Sequence, residues 1–387
     1  MKVLLNSGFS DVPVPSPYDV EDVFNFHKTL PGYAPTPLIF LNQAARALGV
    51  ESILVKDEGK RFGLKAFKAL GASYAVFCLL RERSGGILTP DEFLTEKGRQ
   101  LSEDVTFSCA TDGNHGRAVA WIARLLGRPA VIFMPQGSVP ARIEAIESEG
   151  AEVIVVEGGY DEAVRCAAAG GECGKHLVIA DTGYPGYMNI PRYIQLGYLT
   201  LFREVSLQLR DQGERSPDLV FLQAGVGAFA SSAALFFSDP SRDPRLISVE
   251  PIAVDCLFRS AEAGDGQPHS IESAGQTIMA GLNCETPSHT AWPLIRDRFN
   301  AFVSIEDHYA AEAMQRLAVE GVVAGESGAA GLAALIALRK GKPEFLKEKL
   351  RVNHTTRILV INTEADTDPD GYYRIVGKTA DEVEGIT

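Results

Sequence analysis

Strand-sized apolar runs alternate with helix-length segments in two stretches of the chain, and this alternation restricts the fold more than any other feature. In the first stretch, residues 105–109, 130–134, 152–156 and 177–180 read as strands, with helices predicted over 114–126, 139–149 and 161–169. The second stretch reads as helix 191–209, strand 219–222, helix 226–237 and strand 246–250. Helices around 308–320 and 327–337 and a strand over 357–362 follow. Strands buried on both faces and separated by helices form parallel sheets covered by helices. The chain has 387 residues, 45% of them hydrophobic, and single cores stop growing at roughly 250–300 residues. We therefore expect an α/β fold of two open, mostly parallel sheet domains with helices on both faces. The larger would comprise 1–75 plus 188–387 and the smaller 76–187. Upstream, 20–29 reads as a helix, 52–56 as a strand, and 1–17, with Pro13, Pro15 and Pro17, as an arm. Open α/β sheets bind ligands at the carboxyl ends of their strands, which points to the cleft between domains.

Composition removes several function classes. The formal net charge is −13 and no Lys/Arg tract is present, which argues against nucleic-acid or anionic-membrane partners. The apolar run 69–80 is too short to span a bilayer, which takes about 20 residues, and no signal-peptide pattern precedes it. Six cysteines are scattered without C-x-x-C or zinc spacing, so no metal is expected and free thiols in a cytoplasmic enzyme are the simple reading. A Cys256–Cys284 bridge is the alternative reading.

Chemistry concentrates in three places. In Arg61-Phe-Gly-Leu-Lys-Ala-Phe-Lys-Ala-Leu-Gly-Ala-Ser-Tyr74, Lys68 falls between a turn at Gly63 and a long apolar run, near the start of a helix predicted over 66–80. Leu70, Tyr74 and Phe77 lie on its inward side at helical spacing. A poorly solvated lysine amine can be neutral and nucleophilic near neutral pH; a lysine snorkelling to water is the alternative. Ala110-Thr-Asp-Gly-Asn-His-Gly116 and Gln223-Ala-Gly-Val-Gly-Ala-Phe229 are glycine-bearing turns, each from a strand into a helix, where backbone amides bind anions. Gly225-Val-Gly-Ala-Phe-Ala230 also satisfies G-x-G-x-x-A, and Glu250 ends the next strand, where a ribose-binding acid would sit. Two readings stay open on these residues: an NAD-dependent dehydrogenase, or a loop for a single phosphate monoester.

A lysine, an Asn-bearing loop and a phosphate-cradling loop, in this order, resemble pyridoxal-phosphate enzymes of the tryptophan synthase β and threonine dehydratase type, fold type II. Ala66-Phe-Lys-Ala-Leu-Gly71 and Gly113-Asn-His115 match that superfamily's motifs. The resemblance is strongest to the diaminopropionate ammonia-lyases. It is carried by Lys56-Asp-Glu-Gly-Lys-Arg-Phe-Gly63, Asp112, Asp181-Thr-Gly-Tyr-Pro-Gly-Tyr187, Ile190-Pro-Arg-Tyr-Ile-Gln-Leu-Gly-Tyr198, Thr277-Ile-Met-Ala-Gly-Leu282 and Ala324-Gly-Glu-Ser-Gly328.

The resemblance implies pyridoxal 5′-phosphate (PLP) in the interdomain cleft. Lys68 would carry its aldehyde and Asn114 its phenolic oxygen. Gly225, Val226, Gly227, Ala228 and Phe229 would hold its phosphate, with Thr363 at the pyridine nitrogen and Phe67 beside it. Lys68, Asp112 and Asp181 become the catalytic candidates. Thr111, Asp112, Gly113, His115, Asp181 and Tyr187 become the substrate contacts, with a structural role open for His115. The implied reaction is α,β-elimination of 2,3-diaminopropionate to pyruvate and two ammonia by a homodimer acting on a small amino acid. A serine/threonine-type PLP dehydratase is the nearest rival. Two departures stand out: Lys65 where Asn is usual, one helical turn before Lys68, and Tyr184-Pro185 where a Trp is usual.

Overall fold

The β-branched and aromatic runs take up strands that pair almost entirely in parallel. The computed structural model describes residues 1–10, 19–174, 176–238, 244–272 and 275–385. Pro13, Pro15 and Pro17 of the expected arm lie outside the described residues, and the segment before them is a strand rather than an arm. In chain order the strands are β1 (Lys2–Leu5), β2 (Leu38–Phe40), β3 (Ser52–Asp57), β4 (Phe107–Ala110), β5 (Ala130–Pro135), β6 (Glu152–Val156), β7 (Leu177–Val178), β8 (Leu219–Gln223), β9 (Arg245–Pro251), β10 (Ala301–Ile305) and β11 (Arg357–Asn362).

The chain divides into two compact units. One comprises Met1–Pro17, Pro35–Lys60 and Leu201–Thr387; the other comprises Tyr18–Ala34 and Arg61–Thr200. Residues 18–34, 61–75 and 188–200, expected with the larger domain, thus group with the smaller. Close helix packing explains it. The helix Lys68–Arg83 carries Gly71, and the helix Asn189–Gly197 ends on Gly197. A methyl group on Gly197 would overlap the Leu70 carbonyl oxygen and sit 2.8 Å from the Gly71 Cα. On the same unit's helix Val20–Lys28, Phe26 stacks on Phe77 at 4.5 Å between ring centres and meets Phe93 edge-on. Backbone cannot yield to a new methyl as a side-chain tip can, so Gly197→Ala is expected to destabilise the fold by about 1–3 kcal/mol or more. A lowered thermal midpoint would show it; an unchanged one would mean that the two helices do not depend on this approach.

The larger unit holds the seven-stranded sheet β1-β10-β9-β8-β11-β3-β2, parallel throughout except for the edge strands β1 and β2. β8, β10 and β11 are buried along their whole length, as strands covered on both faces must be. A charge pair lies buried inside this unit. Lys56 on β3 pairs with Glu204 at 2.6 Å and also donates to the Thr36 carbonyl (2.7 Å) and Gln208 (3.0 Å). A buried ammonium with three oxygen partners is satisfied, which gives the start of the Lys56–Gly63 motif a structural reason.

The smaller unit holds the four-stranded, all-parallel sheet β6-β5-β4-β7. In both units the chemistry-bearing loops follow the carboxyl ends of strands: β4 and β7 in one, β8 and β11 in the other. The expected helix 191–209 is two helices, Asn189–Gly197 and Leu199–Asp211, parted at Tyr198. All six cysteines are free thiols, so Cys256 and Cys284 form no bridge. No helix among the described residues is long and apolar enough to cross a membrane.

Candidate active site

Lys68 is the first residue of its helix, with Phe67 as the cap. The segment before it is tightly turned: Phe62 (φ 52°), Gly63 (φ 71°) and Lys65 (φ 59°) all adopt left-handed backbone. Asn tolerates this region better than other non-glycine residues, which accounts for the Asn expected where this chain has Lys65. The geometry also corrects one expectation. Lys65 precedes the helix, so it does not stand one helical turn from Lys68. The Lys68 ammonium donates to Asp181 Oδ2 at 2.8 Å and lies 5.4 Å from the centre of the Phe67 ring. Phe67 is buried, its ring 4.6 Å from that of Tyr198.

The loop after β4 is built around a hydroxyl. Thr111 Oγ1 accepts from the backbone N–H groups of Gly113 (2.9 Å) and Gly116 (3.2 Å), so Thr111 shapes the loop. Gly113 has φ 149°, and a side chain there would press on Arg142. Asn114 then opens the helix Asn114–Leu126. His115 is buried and donates from Nε2 to the Ile179 carbonyl at 2.6 Å. Its Nδ1 has no hydrogen-bond partner among the described residues. Burial, with help from the Lys68 charge and against the pull of Asp181, holds its pKa below the ordinary value, so the neutral ring braces the loop. Tyr187 is likewise occupied. Its hydroxyl donates to the Val178 carbonyl (2.8 Å) and accepts from the Ala180 N–H (3.0 Å), clamping the segment that ends in Asp181.

The two carboxylates are pushed in opposite directions. Burial raises the Asp112 carboxyl to about 6; Arg142 opposes this, Asp181 adds to it and Lys68 opposes it. For Asp181 burial acts upward as well, but the Lys68 ammonium, His115 and the hydrogen bonds it receives outweigh it. They hold the Asp181 carboxyl well below the usual carboxylate range. Such a pair contains a group able to gain or lose a proton near neutrality and a group that stays charged. Arg142, which tempers Asp112, had no signal in the sequence.

In the larger unit, β8 ends at Gln223 and the helix Ala228–Phe236 begins four residues after Ala224, capped by Gly227 in left-handed backbone (φ 94°). A side chain on Gly227 would strike Ile295 at 2.7 Å, and one on Gly225 would strike Cys284 Sγ at 2.7 Å. Val226 bridges the two glycines, and the turn leads directly into the first turn of the helix at Ala228 and Phe229. Phe229 packs its ring on Phe202, 5.9 Å away. The dinucleotide reading fails here. Both Glu250 oxygens accept backbone N–H groups, from Leu257 at 2.8 Å and Phe258 at 2.7 Å, and the residue is fully buried. That carboxyl group is spent on the first-turn N–H groups of the helix Cys256–Ala263 and is not free to hold a ribose. Thr363, just past β11, receives a hydrogen bond from Gln223 Nε2 at 3.0 Å. Gln223 escaped the sequence reading, although a polar residue ending an apolar strand was its signal.

A family model described as pyridoxal-phosphate dependent enzyme matches residues 29–364. The chain belongs to this family. It is 41% identical over 367 residues to the diaminopropionate ammonia-lyase of Salmonella typhimurium, covering 92% of this chain and 91% of the relative. With the Escherichia coli K12 enzyme of the same name it is 42% identical over 362 residues, covering 91% and 89%. The crystal structure of the Escherichia coli diaminopropionate ammonia-lyase in complex with D-serine superposes with a TM-score of 0.89 at 38% identity, covering 97% of this chain and 96% of that one. The fold is that of a fold type II PLP enzyme and the cofactor is PLP. The residues present fit it. A primary amine suits an aldehyde, and a glycine turn too tight for side chains would let a phosphate approach its backbone. A hydroxyl that already accepts one hydrogen bond has its own hydrogen for a ring nitrogen.

Proposed function

We infer that the chain catalyses the PLP-dependent α,β-elimination of 2,3-diaminopropionate: with one water, the substrate yields pyruvate and two ammonia. When bound, the cofactor supplies an electron sink for charge developing at the substrate α-carbon. We assign Lys68 to hold the cofactor aldehyde and to take the α-proton from one face of the substrate. Asp112, titrating near neutrality, takes it from the opposite face in the other stereoisomer. Asp181, locked as a carboxylate, holds positive charge on the Lys68 amine or the substrate ammonium. Lys68, once protonated, is the donor that keeps the departing β-amine a good leaving group. Asn114, the 225–229 turn and Thr363 are assigned to the cofactor, Phe67 to the wall beside Lys68, and Thr111, Gly113, His115 and Tyr187 to shaping the substrate loop.

The observation that carries the choice of substrate is the Asp181 carboxylate 2.8 Å from the Lys68 ammonium, with a second carboxyl, Asp112, in the loop after β4. A hydroxyl substrate of a serine/threonine-type dehydratase has no second ammonium to pair with such a carboxylate. Pyruvate formation from 2,3-diaminopropionate and from serine, compared side by side on both stereoisomers, tests this. We expect kcat/KM for diaminopropionate to exceed that for serine at least about tenfold, the value of one charge-assisted hydrogen bond. Equal or faster turnover of serine would transfer the chain to the dehydratases. The homodimer and the cytoplasmic location belong to the same proposal, supported by family membership and by the six free thiols.

A further inference from the structure

We propose that Gln223 is a positioning residue that sets the direction of the Thr363 hydroxyl, so that it donates to the cofactor ring nitrogen instead of turning away. The inference rests on the assignment of Thr363 to that nitrogen and goes one residue beyond it.

Gln223 Nε2 faces four oxygens: the carbonyls of Ile361 (2.8 Å), Ser327 (3.1 Å) and Gly328 (3.3 Å), and Thr363 Oγ1 (3.0 Å). Three of these are carbonyls, which only accept. Exchanging the amide nitrogen and oxygen would set one oxygen against three others, so the donor orientation of the amide is dictated by its surroundings. Gln223 is 2% exposed and Thr363 4%, so bulk water does not compete for either. A hydroxyl has one hydrogen and two lone pairs. The amide nitrogen has two hydrogens to share among the four oxygens, and with one of them directed into a Thr363 lone pair the hydroxyl hydrogen is left for an acceptor on another side. An unprotonated aromatic nitrogen is such an acceptor, and an N–H would not be. Gln223 thereby holds Thr363 ready as a donor before the cofactor arrives. It touches neither substrate nor cofactor in this assignment and acts through Thr363.

The test is a double-mutant cycle read in cofactor affinity. Apo full-length protein is titrated with pyridoxal 5′-phosphate for the wild type, Gln223→Met, Thr363→Val and the double variant. Each single variant is expected to weaken binding roughly 5- to 10-fold, and the double variant to bind no more than about twofold worse than the weaker single one. The visible band of the bound cofactor should shift in the same direction in both single variants. A merely structural Gln223 would lower the thermal midpoint and give losses that multiply with those of Thr363→Val; that result overturns the proposal while leaving Thr363 in place. Wild-type affinity and spectrum in Thr363→Val alone would overturn the underlying assignment as well. Gln223→Asn, which keeps an amide but withdraws it by one methylene, runs the same cycle where Gln223→Met does not fold.

Discussion

Replacing Lys68 by alanine is expected to abolish turnover and, with it, the borohydride-sensitive visible absorbance of the bound cofactor. The loss should exceed the roughly 10²–10⁴-fold that a single positioned acid–base group contributes, because one amine is assigned attachment, proton removal and protonation of the leaving group. The ion pair gives the experiment a control. Lys68 Nζ is 2.8 Å from Asp181 Oδ2, and its charge is a main reason that the Asp181 carboxyl lies low. Alanine removes both the nucleophile and that charge, so the Asp181 pKa should rise as burial takes over. Lys68→Arg keeps a cation there but cannot condense with an aldehyde at neutral pH. Both variants should be inactive and lack the absorbance, while only alanine should shift Asp181, as read by carboxyl titration. Turnover in either variant above about one part in a hundred of wild type would remove Lys68 from its role.

The parallel architecture was legible because its signal is local. Strands such as 152–156 and 357–362 are short apolar runs and match the observed β6 and β11. The helix over 114–126 is bounded by Gly113 and Gly127, and the observed helix has the same ends. What escaped depended on partners distant in sequence. β1 is four residues at the chain start, made a strand by pairing antiparallel with β10, nearly three hundred residues on; β10 itself was not anticipated. The unit boundaries were misplaced for a similar reason. Gly71 reads as part of a lysine motif, and nothing near it says that Gly197 will press against it. In the site, residue types were readable but their states were not. Thr111, His115 and Tyr187 could be picked out, yet only geometry reveals that backbone groups hold the Thr111 hydroxyl, His115 Nε2 and the Tyr187 hydroxyl. Glu250 shows the same limit from the other side. Its position after β8 and the glycine turn fits a ribose-binding acid, while its oxygens are spent on two backbone N–H groups.

Asp112→Asn is the most discriminating substitution, because it changes a charge and a proton site while keeping the side chain's shape. On the two-base assignment, turnover of D-2,3-diaminopropionate should fall about 10²–10⁴-fold, and that of the L isomer less than about tenfold. The pH dependence fixes the sign. Asp112 acts as a base only when ionised, and its carboxyl is raised to about 6 by burial, with Asp181 adding to the shift while Arg142 and Lys68 oppose it. For the wild type, kcat/KM on the D isomer should therefore rise with pH and level off above about 6; one unit below that midpoint only about a tenth of the carboxyl is ionised. Asn has no such proton, so this limb should vanish from whatever D-isomer activity remains. Arg142→Gln removes a charge that lowers the Asp112 pKa and should move the limb to higher pH. Asp181 cannot supply the limb in place of Asp112, since Lys68 keeps it ionised throughout this range. Equal losses on both isomers, with the limb unmoved, would mean that Asp112 shapes the loop before Asn114 and that the second base lies elsewhere.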